Sequence, residues 1–192
     1  MAPFEYAIGL ISILMSLALA DLVMSFHKIL RHRKSVRWDG RIFIAAALVV
    51  LEVIRIWFAQ WTIRDTQVVL IFPVYVYLFG HVLLLVLTAL ACMPDDVGDG
   101  CDLSAFYDEN RRYFWGAFTA TQAAYFAGWF IFGGTQASSS AAIGAIDWIR
   151  MIAPLAAFGL LVFVRSRFLD YAIPLVAIAF YTWLYWPQTL ST

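Results

Sequence analysis

Apolar residues gather along this chain into six blocks, near Phe4–Phe26, Ile42–Ile63, Val68–Cys92, Tyr113–Phe132, Ala141–Val164 and Phe168–Trp186. A helix crosses a bilayer with about 20 such residues. The blocks are too long for buried strands and do not alternate as the strands of a membrane barrel do. The pattern predicts an all-α integral membrane protein with six transmembrane helices, forming one polytopic domain over residues 1–192. The opening MAPFEY lacks a basic region and carries Glu5. The first block is therefore expected to stay as a helix rather than be cleaved as a signal peptide.

The polar stretches between the blocks set an orientation. The first, HKILRHRKSVRWDGR, holds Lys28, Arg31, Arg33, Lys34, Arg37 and Arg41. The third ends on Arg111 and Arg112, the fifth holds Arg165 and Arg167, and the intervening loops carry only Arg64. Basic loops stay on the cytoplasmic side. Loops one, three and five are thus expected inside and both termini outside, with the bacterial inner (cytoplasmic) membrane as the location. The basic first loop suits anionic lipid headgroups, and a homo-oligomer is left open.

Composition agrees with this assignment. The chain is 63% hydrophobic and 14% charged, where a soluble domain is about a quarter charged. A net charge of zero gives no footing for nucleic acid. Cys92 and Cys101 have no zinc-ligand spacing and read as reduced thiols. The third loop, MPDDVGDGCDLSAFYDENRR, is rich in acids but lacks the calcium-loop register. It reads as a solvated loop facing the basic first loop, with Asp102 or Ser104 capping a helix that runs through DENRR into the fourth block.

Two charged motifs stand inside the apolar blocks. LEVIRIW places Glu52 and Arg55 in the second, and IDWIRMI places Asp147 and Arg150 in the fifth. The third and sixth blocks each hold a proline, Pro73 and Pro174. The first and fourth carry small residues at every fourth position: Ser12, Ser16, Ala20 and Ala120, Ala124, Gly128. The matched order suggests a 3+3 inverted-topology repeat with halves 1–92 and 102–192. Shared composition of apolar helices would produce the same matches by coincidence.

A charged residue at the bilayer centre costs about 2.5–3.5 kcal/mol on insertion scales, so these four must face protein or water. Residues three apart share a helix face. Each acid can pair with its own arginine, or Glu52 with Arg150 and Asp147 with Arg55 across the bundle. Counting along the helices puts Glu52 and His81 near the midplane, Asp147 and the arginines further out, and Asp21 in the inner third, where it has Lys28 or Arg111 as candidate partners. The six residues Asp21, Glu52, Arg55, His81, Asp147 and Arg150 form a candidate ladder for a proton or small ion. Buried ion pairs also lock helices together without moving anything.

The expected function is transporter- or channel-like, moving a proton or small ion or solute past this cluster. One alternative is a membrane anchor or signalling subunit with structural ion pairs. A second is a binder of a lipid, quinone or pigment among the aromatic residues Tyr75, Tyr77, Phe79, Phe180, Tyr181, Trp183, Tyr185 and Trp186, which otherwise serve as packing and interfacial belt. No hydrolytic motif is present, and His81 is the one histidine within a block, which argues against bis-histidine haem. Lys28 and Lys34 read as loop residues, which excludes a retinal Schiff base. No cofactor or metal is expected, and an enzymatic role is not favoured.

Overall fold

The structure is a computed structural model that describes residues 3–62, 72–98, 100–136 and 145–185, with side chains over 8–59, 72–98, 100–128, 148 and 151–184. It is all-helical: α1 (Pro3–Arg31), α2 (Gly40–Thr62), α3 (Phe72–Leu90), α4 (Leu103–Gln136), α5 (Ala145–Phe163) and α6 (Arg167–Tyr185). Among the described residues, four stretches are long and apolar enough to cross a membrane: Ile8–Arg31, Gly40–Ala59, Phe72–Leu90 and Arg167–Leu184. A shorter apolar stretch, Met151–Phe163, lies in α5. The chain is a helical membrane protein with charged residues buried inside it.

Two boundaries differ from the apolar blocks, for the same reason: backbone hydrogen bonding continues past the end of an apolar run. Helix α1 continues through Lys28 to Arg31, so Lys28 is helical rather than part of a loop; its ammonium reaches the Asp95 carbonyl at 2.6 Å. Helix α4 begins at Leu103, not in the apolar run. Its cap is Asp102, whose Oδ1 accepts from the backbone N–H groups of Ser104 (2.8 Å) and Ala105 (3.2 Å), satisfying donors that a helix start leaves open. Those bonds, together with Arg37, hold the Asp102 carboxyl below its ordinary value. Just before the cap, Gly100 turns the chain at φ 84°, a left-handed conformation that glycine adopts without strain.

The acidic third loop does meet the basic first loop. Arg37 N–H donates to the Cys101 carbonyl (2.9 Å) and Leu103 N–H to the Arg37 carbonyl (3.1 Å), and the Arg37 guanidinium lies 3.2 Å from Asp102. Arg111 on α4 donates to the Val164 carbonyl at the end of α5. Loops one, three and five therefore converge on one end of the bundle.

Packing is uneven. Helix α1 lies along α3, α2 along α6, and α4 is flanked by α3 and α5. The two halves are thus built differently, since the first helix of one packs on its third and the first helix of the other on its second. The prolines are also unequal: Pro73 is the second residue of α3, where its missing N–H costs nothing, whereas Pro154 and Pro174 stand inside α5 and α6.

An aromatic core joins α4 to α5. Trp115 is fully buried, stacks on Phe158 with centroids 5.8 Å apart, and donates to the Tyr107 hydroxyl at 2.9 Å. The small stripe of α4 admits α3 closely. The Tyr77 hydroxyl donates to the Ala124 carbonyl at 2.6 Å, and a Cβ at Gly128 would land on that hydroxyl. Gly128→Ala is therefore expected to destabilise by about 1–3 kcal/mol through overpacking, and Tyr77→Phe added to it should recover part of the loss. Thermal melts of the detergent-solubilised variants check this; an unchanged melt for Gly128→Ala would rule out the close crossing.

Candidate functional site

The middle of the bundle holds a polar cluster drawn from four helices. Glu52 and Arg55 come from α2, His81 from α3, Gln122 and Tyr125 from α4, and Tyr181 from α6. Glu52 and Gln122 are fully buried, and Arg55, His81 and Tyr181 are each 4% exposed. The three-residue spacing in LEVIRIW sets the acid and the base on one face. Arg55 Nε donates to Glu52 Oε2 at 2.9 Å, and Arg55 Nη2 bonds to Glu52 Oε1. The same Nη2 donates to Gln122 Oε1 at 2.9 Å. The guanidinium lies over the Tyr125 ring, 3.6 Å from its centroid, and 5.1 Å from that of Tyr181. The Tyr181 hydroxyl approaches Gln122 Oε1 at 3.4 Å.

This geometry explains how a charged arginine is held among apolar helices. Fork-to-fork pairing with a carboxylate, a carbonyl acceptor and aromatic faces together replace its hydration. The pair is electrically neutral, and its partners come from α4 and α6, so it fixes α2 against both. Four buried polar atoms have no partner among the described residues: His81 Nε2 and Gln122 Nε2 in this cluster, and Nε and Nη1 of Arg111 elsewhere. The His81 ring sits between Tyr77 and Tyr125, with centroids 6.0 and 6.2 Å away. Immediately beside the cluster, the Thr88 and Thr121 hydroxyls meet at 3.1 Å between α3 and α4.

Of the residues expected from sequence, the structure brings Glu52, Arg55 and His81 together. Asp147 and Arg150 lie on α5, but their side chains are outside the described residues, as are those of Tyr185 and Trp186. The cross-pairs Glu52–Arg150 and Asp147–Arg55 thus have no description, whereas the same-helix pair does. Asp21 is half-buried on α1 and feels the charges of Asp95 and Lys28. Arg111 is not its partner, because that guanidinium is bonded to Asp170 at 2.9 Å. Gln122, Tyr125 and Tyr181 were missed as site residues. A glutamine within the apolar TATQAAYF was the available signal. The sequence offers Tyr181 only as one of many packing or cavity aromatics; it is buried, while Trp183, two residues on, is 70% exposed.

A second charged network closes the end where the odd loops meet. Asp39 caps α2, its Oδ1 accepting from the Arg41 backbone at 2.9 Å. The Arg41 side chain, read from sequence as a loop charge, is buried. It bonds Asp39 at 2.6 Å, Asp108 at 2.8 Å and Ser104 at 3.0 Å, and approaches Asp170 at 3.6 Å. Asp170, in the first turn of α6, joins Arg41 to Arg111. Burial alone would raise the Asp39 carboxyl, but the bonds from Arg41 outweigh it and hold the group below its ordinary value.

Comparison with known protein families, curated proteins and solved structures returns no match to this chain. Among the described residues, no group of histidine, cysteine, aspartate or glutamate side chains is placed to hold a metal ion.

Proposed function

We propose that this chain is a six-span membrane protein of the transporter or channel type, passing a proton or small ion or solute by the Glu52–Arg55–His81 cluster. The observation that carries the reading is spare hydrogen-bonding capacity beside a buried ion pair. Among the described residues, His81 Nε2 and Gln122 Nε2 have no partner, in a region where each unmet polar group is costly. Ionisable groups within membrane spans are functional-site candidates by default, and Asp, Glu and His side chains form the proton relays of pumps and transporters. Asp147 and Arg150 would extend the path outward and Asp21 inward.

The basic bias of the odd loops supports both termini outside, and a bacterial inner-membrane location is part of the same proposal. Arg31, Arg33, Lys34 and Arg37 are exposed, and anionic headgroups are the partners we infer for them. A 3+3 inverted order rests on the matched motif order alone. In intact cells lacking Cys101, a cysteine at Ser138 should react with an impermeant thiol reagent and one at Ser35 should not; the reverse labelling would invert the orientation.

The test of function is flux. Purified protein in liposomes, supplied with a panel of ion gradients and an internal pH dye, should pass at least one species faster than empty liposomes. His81→Leu should reduce that flux at least tenfold while the protein remains monodisperse. Flux equal to that of empty liposomes across the panel would remove the transport reading in favour of a structural ion pair in an anchor or signalling subunit.

A further inference from the structure

Three residues, Val164, Arg165 and Ser166, connect α5 to α6. They join Phe163, the end of one apolar helix, to the start of the next, where Phe168 stands; these two rings are 79% and 75% exposed. Between the rings, the run FVRSRF sets Arg165 and Arg167. Both are exposed, and neither takes part in an ion pair among the described residues. The basic first loop is different. Arg37 pairs with Asp102 there, and the acidic third loop that bonds to it offsets part of its charge.

What lies beneath this turn adds to its positive character. Arg111, 2% exposed, comes from α4 and donates through Nη2 to the Val164 carbonyl at 2.7 Å and to Asp170 at 2.9 Å. Its guanidinium therefore sits under the segment that those two residues bracket, and its Nε and Nη1 have no acceptor among the described residues. Asp170 is buried between Arg111 and Arg41, so its charge is spent inward and does not cover the outer arginines. Helix α6 also starts here. The Ser166 carbonyl takes a bond from the Asp170 N–H at 3.0 Å, and the N–H groups of Arg167, Phe168 and Leu169 precede the first helical acceptor. Such donors, at the positive end of a 19-residue helix, favour an anionic oxygen.

We infer that the α5–α6 turn holds an anionic phospholipid, its phosphate against Arg165, Arg167 and the first N–H groups of α6, its acyl chains alongside Phe163 and Phe168. The occupant is anionic because the two outer arginines are unmatched. It is a lipid because exposed apolar rings flank the arginines where both helices enter the membrane, and a soluble anion would leave those rings uncovered. A zwitterionic headgroup brings a second cation to the same place and gains less. The inference does not rest on ion passage, since binding is read without any gradient.

The test is native mass spectrometry of the detergent-solubilised full chain, titrated with dioleoylphosphatidylglycerol or dioleoylphosphatidylcholine. Phosphatidylglycerol should be retained at the lower concentration. Arg165→Gln combined with Arg167→Gln should weaken its retention by about tenfold or more, the loss of two basic residues beside a headgroup. Arg33→Gln combined with Lys34→Gln removes the same charge from exposed first-loop positions. It should weaken retention by less than about threefold, because attraction there is spread over a loop whose charge is partly offset. Both pairs alter exposed side chains only, so the buried network is left intact. An excess of glycerol phosphate, the soluble headgroup, should not displace the lipid. Equal retention of the two lipids, no loss in the turn variant, or equal losses in the two variants would overturn the site. Displacement by glycerol phosphate would overturn the lipid assignment in favour of a soluble anion.

Discussion

Arg55→Gln is expected to destabilise the detergent-solubilised protein by about 3–5 kcal/mol, the usual cost of leaving one member of a buried ion pair without its partner. The carboxylate left behind, Glu52, is fully buried. The substitution also removes the cation from the faces of Tyr125 and Tyr181, an interaction worth up to about 2 kcal/mol when desolvated. Glu52→Gln added on top should recover much of the loss, because the neutral pair no longer strands a charge. The recovery is a coupling energy, readable from a double-mutant cycle. Asp147→Asn combined with Arg55→Gln should show no such coupling if the same-helix pair is the operative one. Recovery by Asp147→Asn and not by Glu52→Gln would establish the cross-bundle pair instead. A variant as stable as the parent would show that Arg55 is not buried.

The second large effect belongs to the charged network at the other end. Asp170 is 3% exposed and stands between two buried guanidiniums, 2.9 Å from Arg111 and 3.6 Å from Arg41. Asp170→Asn leaves two like charges facing each other, and a loss of about 3–5 kcal/mol is expected. Asp108→Asn removes a bond of similar length to Arg41, but that carboxylate is 52% exposed. Its loss should stay below about 1 kcal/mol, because water replaces the partner. Equal effects for the two variants would contradict the assigned burial. The network also carries a pH signature. Asp39 is held below its ordinary value of 3.8. Its contribution is therefore complete above that value and is lost as pH falls through the lower folded-state value. Melting temperature should begin to fall below about pH 4, and Asp39→Asn should flatten that part of the profile.

How much of this was legible beforehand varied with the range of the interaction. The first, second, third and sixth blocks each coincide with a helix that meets the length and apolarity of a span, because span formation depends on local composition. The Asp102 cap and the meeting of the acidic and basic loops were also readable: one is set by residues two and three apart, the other by opposite charge. Helical spacing allowed the Glu52–Arg55 pair but equally allowed Glu52–Arg150 across the bundle, and only the structure shows the same-helix pair.

Burial of Arg41 and Arg111 was not readable. Both sit among basic loop residues that serve as topology signals, and only the arrival of Asp170 from α6 distinguishes these two from exposed neighbours such as Arg37. The role of Tyr181 was equally hidden. It lies two residues from Trp183 in a run of aromatics, and which of them turns inward depends on how α6 lies along α2. The aromatic residues give no inward or outward pattern of their own.

The sequence by itself determined an all-helical membrane chain, the cap that starts α4, and which charged residues stand within apolar segments. These are consequences of backbone hydrogen bonding and side-chain transfer energies, which act within one helix. Only the tertiary structure decided what surrounds the Glu52–Arg55 pair, which arginines are buried, and what lies beneath the α5–α6 turn. Those depend on which helix faces touch, and apolar faces in a membrane are near-equivalent until small residues, prolines and scattered polar groups from different helices are brought together.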